Sequence, residues 1–381
     1  MRSTGSYTTT TTLGEAVRAF VPKALPPARP ALAAESYVDG VRRAELALAR
    51  LSGVSGLVPS VEWLLYSAIR KEALLTSQIE GTQATLTDLF DDEAGLAVTN
   101  TDDVEEVTNY LRAFRLVRDN LRKPRGLPLS TRLLCDAHRL LLAGARGAGK
   151  QPGELRRSQN WIGGTRPGKA VFVPPPPERV APLLADLERF IHEPRPTLPP
   201  LVRVALAHVQ FETIHPFLDG NGRIGRLLIA ALLEQWRLLP EPLMYLSGYL
   251  KQHQAAYHRH LSAVRTDGDW EGWTRFFLDG VEAAAAEAER NIVAVASLVT
   301  ADRRRLLAAP KAGAVSLRLF ELLPLMPRFT IAQVRQKLDT TIPTATAAVK
   351  LLEDLGLVTE LTGQKTNRSF SYQAYVELLA R

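Results

Sequence analysis

The chain has 381 residues, of which 46% are hydrophobic and 23% are charged, as in an ordinary soluble globular protein of two or three domains. Cys135 is the single cysteine, which excludes an internal disulfide and favours a reducing compartment. No apolar run approaches the roughly 18 residues of a membrane span, and the first residues have no apolar signal core. We therefore expect a cytoplasmic protein that does not contact a membrane.

The formal net charge is +7, and the excess is concentrated near the C-terminus. Residues 303–381 contain 12 Lys and Arg against 6 Asp and Glu, a balance of +6. A basic region of this kind indicates an acidic partner such as nucleic acid. A solvated surface without a partner is the alternative, because charge alone does not identify a ligand.

The first two regions differ sharply in composition. Residues 1–33 are Thr-rich and then Ala/Pro-rich, which predicts a disordered tail and linker. Residues 34–125 show helical periodicity and form a predicted N-terminal helical region. A further helix is predicted from Leu129 to Leu142.

The central region is predicted over residues 126–285, and a helical linker is predicted over 286–310. After the predicted helix from Leu129 to Leu142, the central region continues with a stretch rich in Gly, Pro and Arg that has no helical period. Its apolar residues from Ala170 to Val173 predict one half of a small hairpin, which ends at the prolines 174–177. Helices then follow, with predicted bounds Arg179–His192, Leu201–Ile214 and Gly222–Leu238.

Residues 311–381 have the pattern of a winged helix-turn-helix: three helices followed by strand, Gly-containing turn and strand. The predicted recognition helix runs from Ile342 to Leu355. A DNA-binding role predicts an outward position for three of its residues and for two wing residues: Thr344, Thr346, Lys350, Lys365 and Arg368. The alternative is a protein-contact or dimerisation module, which would make the chain a homodimer.

The richest polar chemistry lies in the sequence TIHPFLDGNGRIGRLL, residues 213–228. A helix that begins within this stretch points unpaired N–H groups and the positive end of its dipole at a ligand, which predicts an anion site. Arg223 and Arg226 are spaced to reach the same anion with forked donors. Asp219 would repel that anion unless Mg²⁺ lies between them, and His215 is a candidate general base.

The residues HPFLDGNGRIGR match, without a mismatch, the signature of the Fic-domain family, which the chain resembles over roughly residues 35–285. The resemblance implies a mainly helical core with a small β-hairpin flap, and transfer of AMP from ATP to a protein hydroxyl. It implies that His215 is the base, that Asp219 holds Mg²⁺, and that Phe172 lies in the flap that aligns the target as an added strand. It assigns nucleotide binding to Gly220, Asn221, Gly222, Arg223, Ile224, Gly225, Arg226 and Tyr257.

The sequence LLTSQIEGTQATL resembles the inhibitory motif of the same family, in its N-terminal-helix arrangement. The matching residues are Thr76, Glu80 and Gly81. The resemblance implies that Glu80 pairs with Arg226, and a carboxylate at that point would repel the γ-phosphate. An exposed helix end is the alternative for this segment.

Two functions follow from these patterns. The first is an autoinhibited enzyme that uses ATP and Mg²⁺ to transfer AMP to a Ser, Thr or Tyr hydroxyl of a target protein and to itself. The second is a DNA-binding regulator whose nucleotide site senses a ligand without significant transfer. The intact His215 favours the enzyme, because sensing requires no base.

Overall fold

The chain folds as a mainly helical protein, with 62% of its residues in helices and few in strands. This computed structural model describes residues 3–28, 30–144, 148–364 and 366–380. Lys365, predicted to lie on the wing, is outside the described residues. No helix within the described ranges is long and apolar enough to cross a membrane.

The described residues form fifteen α-helices, of which the first eleven build the central body and the last four follow it. Their bounds are α1 Val38–Val54, α2 Val61–Ile79, α3 Leu86–Glu93, α4 Thr101–Arg122, α5 Thr131–Leu141, α6 Pro177–Ile191, α7 Pro200–Ile214, α8 Asn221–Gln235, α9 Leu246–Gln252, α10 Gln254–Thr266, α11 Trp270–Leu307, α12 Ala314–Leu322, α13 Ile331–Leu338, α14 Ile342–Asp354 and α15 Gln373–Ala380.

Helix α7 lies at the centre of the body. Every residue from Leu201 to Ile214 is buried, as expected for a helix that is hydrophobic all round and covered on every side. Helices α6, α8, α10 and α11 pack against it, and α2 and α4 pack on α8. The C-terminal end of α7 therefore reaches the start of α8 inside a rigid scaffold.

The prediction of a disordered tail over residues 1–33 is wrong for residues 5–22. They form an antiparallel hairpin of β1 (Gly5–Thr12) and β2 (Glu15–Pro22), with Thr12 opposite Glu15. The two-residue turn has positive φ at Leu13 (50°) and Gly14 (80°), the geometry that matches the twist of the paired strands. Threonine also favours strands, so the Thr-rich composition supports β1 rather than disorder.

The C-terminal residues contribute a three-stranded antiparallel sheet in the order β3 (Arg328–Thr330), β5 (Ser369–Ser371), β4 (Thr359–Glu360). Helix α13 packs on β3 of this sheet, and α12, α13 and α14 pack on one another. One hydrophobic cluster runs from Leu32 to Leu379, and α11 continues through the boundary predicted at residue 285. The winged-helix interpretation of this region stays a prediction.

Candidate active site

The motif occupies the loop that joins α7 to α8. His215 ends α7 in the left-handed conformation (φ 50°), which turns the chain sharply away from the helix axis. Asn221 then closes the loop: its Oδ1 accepts from the Phe217 N–H and its Nδ2 donates to the Phe217 carbonyl, both at 2.8 Å. This side chain–backbone pair holds the residues from 217 to 221 in one compact turn.

Gly220 precedes α8 with φ 75°, a conformation that suits glycine. A Cβ at this position would also lie 3.1 Å from Leu141 and 3.4 Å from His138, so α5 presses directly on the loop. The first turn of α8 contains Asn221, Gly222 and Arg223. Its N–H groups lie at the end of the helix where the dipole is positive, the end at which the sequence predicts an anion site.

His138 of α5 supports the loop from beneath. Its Nδ1 accepts from the Gly153 N–H at 2.9 Å, so its Nε2 carries the proton and donates to the Asp219 carbonyl at 3.0 Å. Its ring stacks on Phe217, with centroids 3.8 Å apart. Burial lowers the pKa of His138 to about 4, which keeps this tautomer neutral.

Arg156 binds the other side of the loop. Its Nε donates to the His215 carbonyl at 2.9 Å, its Nη2 donates to the Pro175 carbonyl, and its backbone N–H donates to the Pro216 carbonyl at 2.9 Å. The side chain is buried, and burial lowers its pKa to about 10. Asn160 adds a bond from Nδ2 to the Phe217 carbonyl at 3.1 Å. The loop is therefore fixed by residues of three separate segments.

His215 is uncharged at neutral pH. Burial of the ring, together with the positive charge of Arg156, lowers the pKa of His215 to about 4. A neutral imidazole can accept a proton, as a general base must. Nδ1 is the buried ring nitrogen, so Nε2 is the nitrogen that can accept a proton from a hydroxyl donor.

Asp219 and Arg223 lie side by side at the mouth of the anion site. The Asp219 carboxylate is half exposed, and its Oδ1 lies 3.6 Å from Arg223 Nη2. Arg223 is far more buried and pairs through Nη1 with Oε1 of Glu106 on α4, at 2.5 Å. Arg223, the first of the two arginines predicted to bind phosphate, therefore forms an ion pair with the Glu106 carboxylate.

Arg226 is held by the end of α2. Its Nη2 donates to Glu80 Oε1 at 2.5 Å, its Nε donates to Thr76 Oγ1 at 2.6 Å, and its Nη2 also reaches the Thr76 carbonyl at 3.1 Å. Glu80 is the residue at which α2 ends, and Gly81 follows with φ 107°. Burial alone would raise the pKa of Glu80, but the charge of Arg226 outweighs burial and lowers it. Glu80 is therefore ionised at neutral pH.

A buried polar layer lies behind Arg226. Tyr257 of α10 bonds its hydroxyl to His208 Nε2 at 2.8 Å, and His208 Nδ1 bonds to the Gly225 carbonyl at 3.0 Å. A methyl group on Gly225 would collide with the carboxylate of Glu212, which explains the glycine. Burial raises the pKa of Glu212 to about 7. Ile224 is fully buried in the main core and anchors α8.

Tyr257 is covered in this structure, with 2% of its surface exposed. Its ring packs beside Trp273 and His258, and its hydroxyl faces the polar layer. The predicted position beside a nucleotide base stays a prediction.

Phe172 lies in a short extended segment in front of the loop. It exchanges backbone hydrogen bonds with Ile162, of 2.8 Å and 3.1 Å, and forms an isolated bridge where the sequence predicted a small hairpin. The Arg265 guanidinium lies 3.9 Å from the centre of the Phe172 ring. Strand β2 covers the segment, as described below.

The three residues predicted to bind DNA are exposed on α14. Lys350 pairs with Asp354 at 2.6 Å, and the hydroxyls of Thr344 and Thr346 bond to Thr341 and to the Ile342 carbonyl. They belong to the C-terminal region and are not part of the loop between α7 and α8.

Sequence reasoning missed four residues that hold the site: Glu106, His138, Arg156 and Glu212. Arg156 belongs to GELRRSQNWIGG, a segment that resembled the family but received no role. The other three residues carry no local signal, because their partners lie in other helices.

The chain was also compared with known proteins. Residues 38–119 match the Fic/DOC family N-terminal model, and residues 128–233 match the Fic/DOC family model. The chain is 36% identical over 131 residues to the protein adenylyltransferase Fic of Drosophila melanogaster and 33% identical over 135 residues to that of Drosophila grimshawi. Each match covers 34% of this chain but 24% of the relative, so the chain spans about a quarter of these relatives.

Solved structures share the fold. A Fic family protein from Desulfovibrio desulfuricans G20 aligns with a TM-score of 0.59 and 22% identity, over 90% of this chain and 97% of that one. Fic-1 (aa134–508) from C. elegans aligns with a TM-score of 0.52 and 21% identity, over 68% and 74%. Residues 38–119 and 128–233 of this chain therefore match the N-terminal domain and the Fic domain of the Fic/DOC family, and the chain shares the fold of solved Fic proteins.

Proposed function

We propose that this protein transfers AMP from ATP to a hydroxyl side chain of a target protein or of itself, and that Glu80 restrains this activity. The observation that carries the proposal is the loop from 215 to 226. It brings a neutral imidazole, a half-exposed carboxylate, the start of α8 and two arginines to one cleft. Phosphoryl-group transfer requires this kind of positioning and charge neutralisation.

The reaction has one bond made and one bond broken. The target hydroxyl oxygen attacks the α-phosphorus of ATP, its proton passes to Nε2 of His215, and the bond to the bridging oxygen of the β-phosphate breaks, releasing pyrophosphate. His215 can take the proton because its pKa of about 4 leaves it neutral. The N–H groups at the start of α8, with Arg223 and Arg226, neutralise the charge on the phosphates.

Asp219 is the proposed Mg²⁺ ligand. Its carboxylate is half exposed at the anion site, where it would repel phosphate without a cation. The described residues contain no cluster of three or more His, Cys, Asp or Glu that would enclose a metal ion by itself. Such a site fits Mg²⁺ held by one carboxylate and the phosphates of ATP, where the ion would neutralise phosphate charge.

The restraint follows from the contact between Glu80 and Arg226. With its guanidinium committed to Glu80 and Thr76, Arg226 has less positive charge to offer an outer phosphate. The ionised Glu80 also repels that phosphate. ATP therefore binds weakly or in an unproductive position while Glu80 stays in place.

The test is incorporation of label from α-labelled ATP, with Mg²⁺, into the protein itself and into added proteins. Wild type, Glu80→Gly and Glu80→Gly/His215→Ala are compared. We expect little label with wild type, more with Glu80→Gly, and loss of that gain when His215 is also replaced. Equal label with and without His215 would contradict its role as the base.

A second candidate concerns the C-terminal residues, which we propose form a winged helix that binds DNA. Support comes from the order of α12, β3, α13, α14, β4 and β5, the exposed α14, and the positive charge of residues 303–381. This region also packs on α2, the helix that ends at Glu80, so DNA and nucleotide could influence each other. Binding of the full chain to a labelled random duplex, which falls steeply with salt and is weakened by Lys350→Glu, would support this candidate.

A further inference from the structure

Strand β2 lies along the segment in which Phe172 is found, in the same chain direction. The Phe20 N–H donates to the Val173 carbonyl at 2.9 Å, and the rings of Phe20 and Phe172 lie 6.5 Å apart. At the other end, Glu15 Oε2 lies 3.3 Å from Arg166 Nη1 and accepts from the Gly168 N–H at 3.2 Å. β2 therefore follows the segment from residue 166 to residue 173.

From Ala16 to Ala19 the side chains of β2 alternate between solvent and this segment, and Phe20 after them is buried as well. Val17 and Ala19 are buried and form a separate small cluster with Val173, which Trp161 and Ala170 complete. The intervening Ala16 and Arg18 are exposed. This alternation is the pattern by which a strand fits a groove through every second side chain.

We define the surface beneath β2, formed by residues 161, 166, 168, 170, 172 and 173, as the strand groove. Its chemistry is specific: apolar residues lie along its length and a cation with a backbone N–H lies at one end. The small cluster is separate from the main hydrophobic core, which β2 meets only near its end, where Val21 packs against that core. Release of residues 15–19 of β2 therefore opens the small cluster and leaves the main core closed.

An incoming strand can pair with the outer edge of β1 or can replace β2 in the strand groove. The distance from His215 distinguishes these two positions. The outer edge of β1 lies two strand spacings from the groove, about 10 Å further away. A hydroxyl on a strand added there would be displaced from His215 by the same amount, well beyond the reach of proton transfer. A target strand that is to react must therefore occupy the place of β2.

We propose that β2 is a built-in occupant of the strand groove, and that the groove accepts in its place an extended target segment of the same chemistry. That segment carries a carboxylate for Arg166 and Gly168, followed two and four residues later by small apolar side chains. The inference rests on the proposed function in one respect, namely that a target strand lies beside Phe172.

The test uses a fluorescent peptide with the sequence of residues 13–23, LGEAVRAFVPK, and the full chain without ATP. Val17→Asp places a charge in the apolar cluster and should release β2, whereas Ala16→Asp places the same charge on the exposed face. Burying an unpaired charge costs several kcal/mol, so we expect Val17→Asp to bind the peptide at least roughly tenfold more tightly than wild type or Ala16→Asp. A peptide with Gln in place of Glu15 should bind several-fold more weakly, by roughly the value of one charged hydrogen bond.

Equal peptide binding by all three proteins overturns the inference, as does continued protection of the β2 amides from hydrogen exchange in Val17→Asp. If Val17→Asp does not fold, Glu15→Arg replaces it, because a like charge opposite Arg166 weakens the same contact without entering the cluster. Peptide binding needs no ATP. If the protein binds the peptide but transfers no AMP, only the proposed function is contradicted. If it transfers AMP but does not bind the peptide, only the proposed role of the strand groove is contradicted.

Discussion

Arg226 Nη2 and Glu80 Oε1 lie 2.5 Å apart, although 146 positions separate the two residues in the sequence. The Arg226 side chain is 2% exposed and that of Glu80 is 35% exposed. The partner that can leave is therefore Glu80, which stands at the end of a helix, while Arg226 is fixed within α8. This asymmetry suits a contact that must be broken to admit a ligand.

The first prediction separates the charge of Glu80 from its shape. Glu80→Gln keeps the length of the side chain and removes the charge, so ATP affinity should lie between those of wild type and Glu80→Gly. Because Glu80 is partly exposed, its attraction to Arg226 is screened, and we expect about five- to tenfold tighter binding for Glu80→Gln. Titration calorimetry with Mg²⁺ and ATP measures this. Glu62→Gln, the same change at the exposed start of α2, is the control.

The second prediction concerns Glu106 and Arg223. Their side chains are 18% and 6% exposed, so Glu106→Ala takes the closer carboxylate away from a buried guanidinium and leaves it the more distant contact with Asp219, at 3.6 Å. A fully buried pair would cost 3–5 kcal/mol on losing one partner, and partial exposure reduces our expectation to about 2 kcal/mol of unfolding free energy. Denaturant unfolding measures it, with Glu105→Ala at the adjacent exposed position as the control. Equal stability of the two variants would show that the ion pair does not hold Arg223.

Much of the site was predictable because it is contiguous. The residues from His215 to Arg226 lie in one stretch whose spacing indicates a loop, a helix start and two arginines on one side. Glu106, His138 and Arg156 were not predictable, since they lie 117, 81 and 59 positions from their partners in the motif. The hairpin of residues 5–22 was missed for a related reason: the surface that β2 covers lies about 150 residues further along the chain.

The third prediction is that stability falls between pH 7 and pH 5. Burial lowers the pKa values of His138 and His215 from 6.5 to about 4, and that of His208 to about 3. Below pH 6.5 these histidines become protonated in the unfolded chain but stay neutral in the folded chain. Each histidine therefore lowers the free energy of unfolding by about 2 kcal/mol at pH 5. Glu212 acts in the opposite direction, because its raised pKa of about 7 favours the folded state at acidic pH. These three histidines against Glu212 leave a net loss of roughly 4 kcal/mol. His258 and His260, whose pKa values burial also lowers, act in the direction of the histidines, and Glu72, whose pKa burial raises, acts in the direction of Glu212.

Unfolding free energies from pH 5 to 7 measure this dependence. His208→Gln should reduce the slope of the unfolding free energy against pH by the contribution of one histidine. This holds whatever the substitution does to the stability at any single pH. His253→Gln, the same substitution at an exposed position, is measured beside it for comparison. A slope that is the same for wild type and His208→Gln would contradict the assignment.

The fourth prediction links Gly222 to the restraint. A methyl group at Gly222 would collide with Glu80 Oε1 and would lie 3.0 Å from Arg226 Nη1. In wild type, Gly222→Ala must therefore push the Glu80 carboxylate away from Arg226. In the Glu80→Gly background the carboxylate is gone, and the end of the Arg226 side chain, no longer bound to Glu80, can shift by the few tenths of an ångström that the methyl group needs. Only the helix preference for alanine then remains, worth up to about 1 kcal/mol in favour of the variant.

A double-mutant cycle on Gly222→Ala and Glu80→Gly, followed by denaturant unfolding, isolates this interaction. Because the cycle cancels the effect of the new glycine on the unfolded chain, the remainder reports the contact itself. We expect a coupling of about 1–2 kcal/mol, with Gly222→Ala destabilising in wild type and neutral or stabilising in Glu80→Gly. If the effects of the two substitutions on the free energy of unfolding are additive, the Glu80 carboxylate does not lie beside residue 222 in solution. The restraint would then not depend on the contact with Arg226, and the first prediction would fail with it.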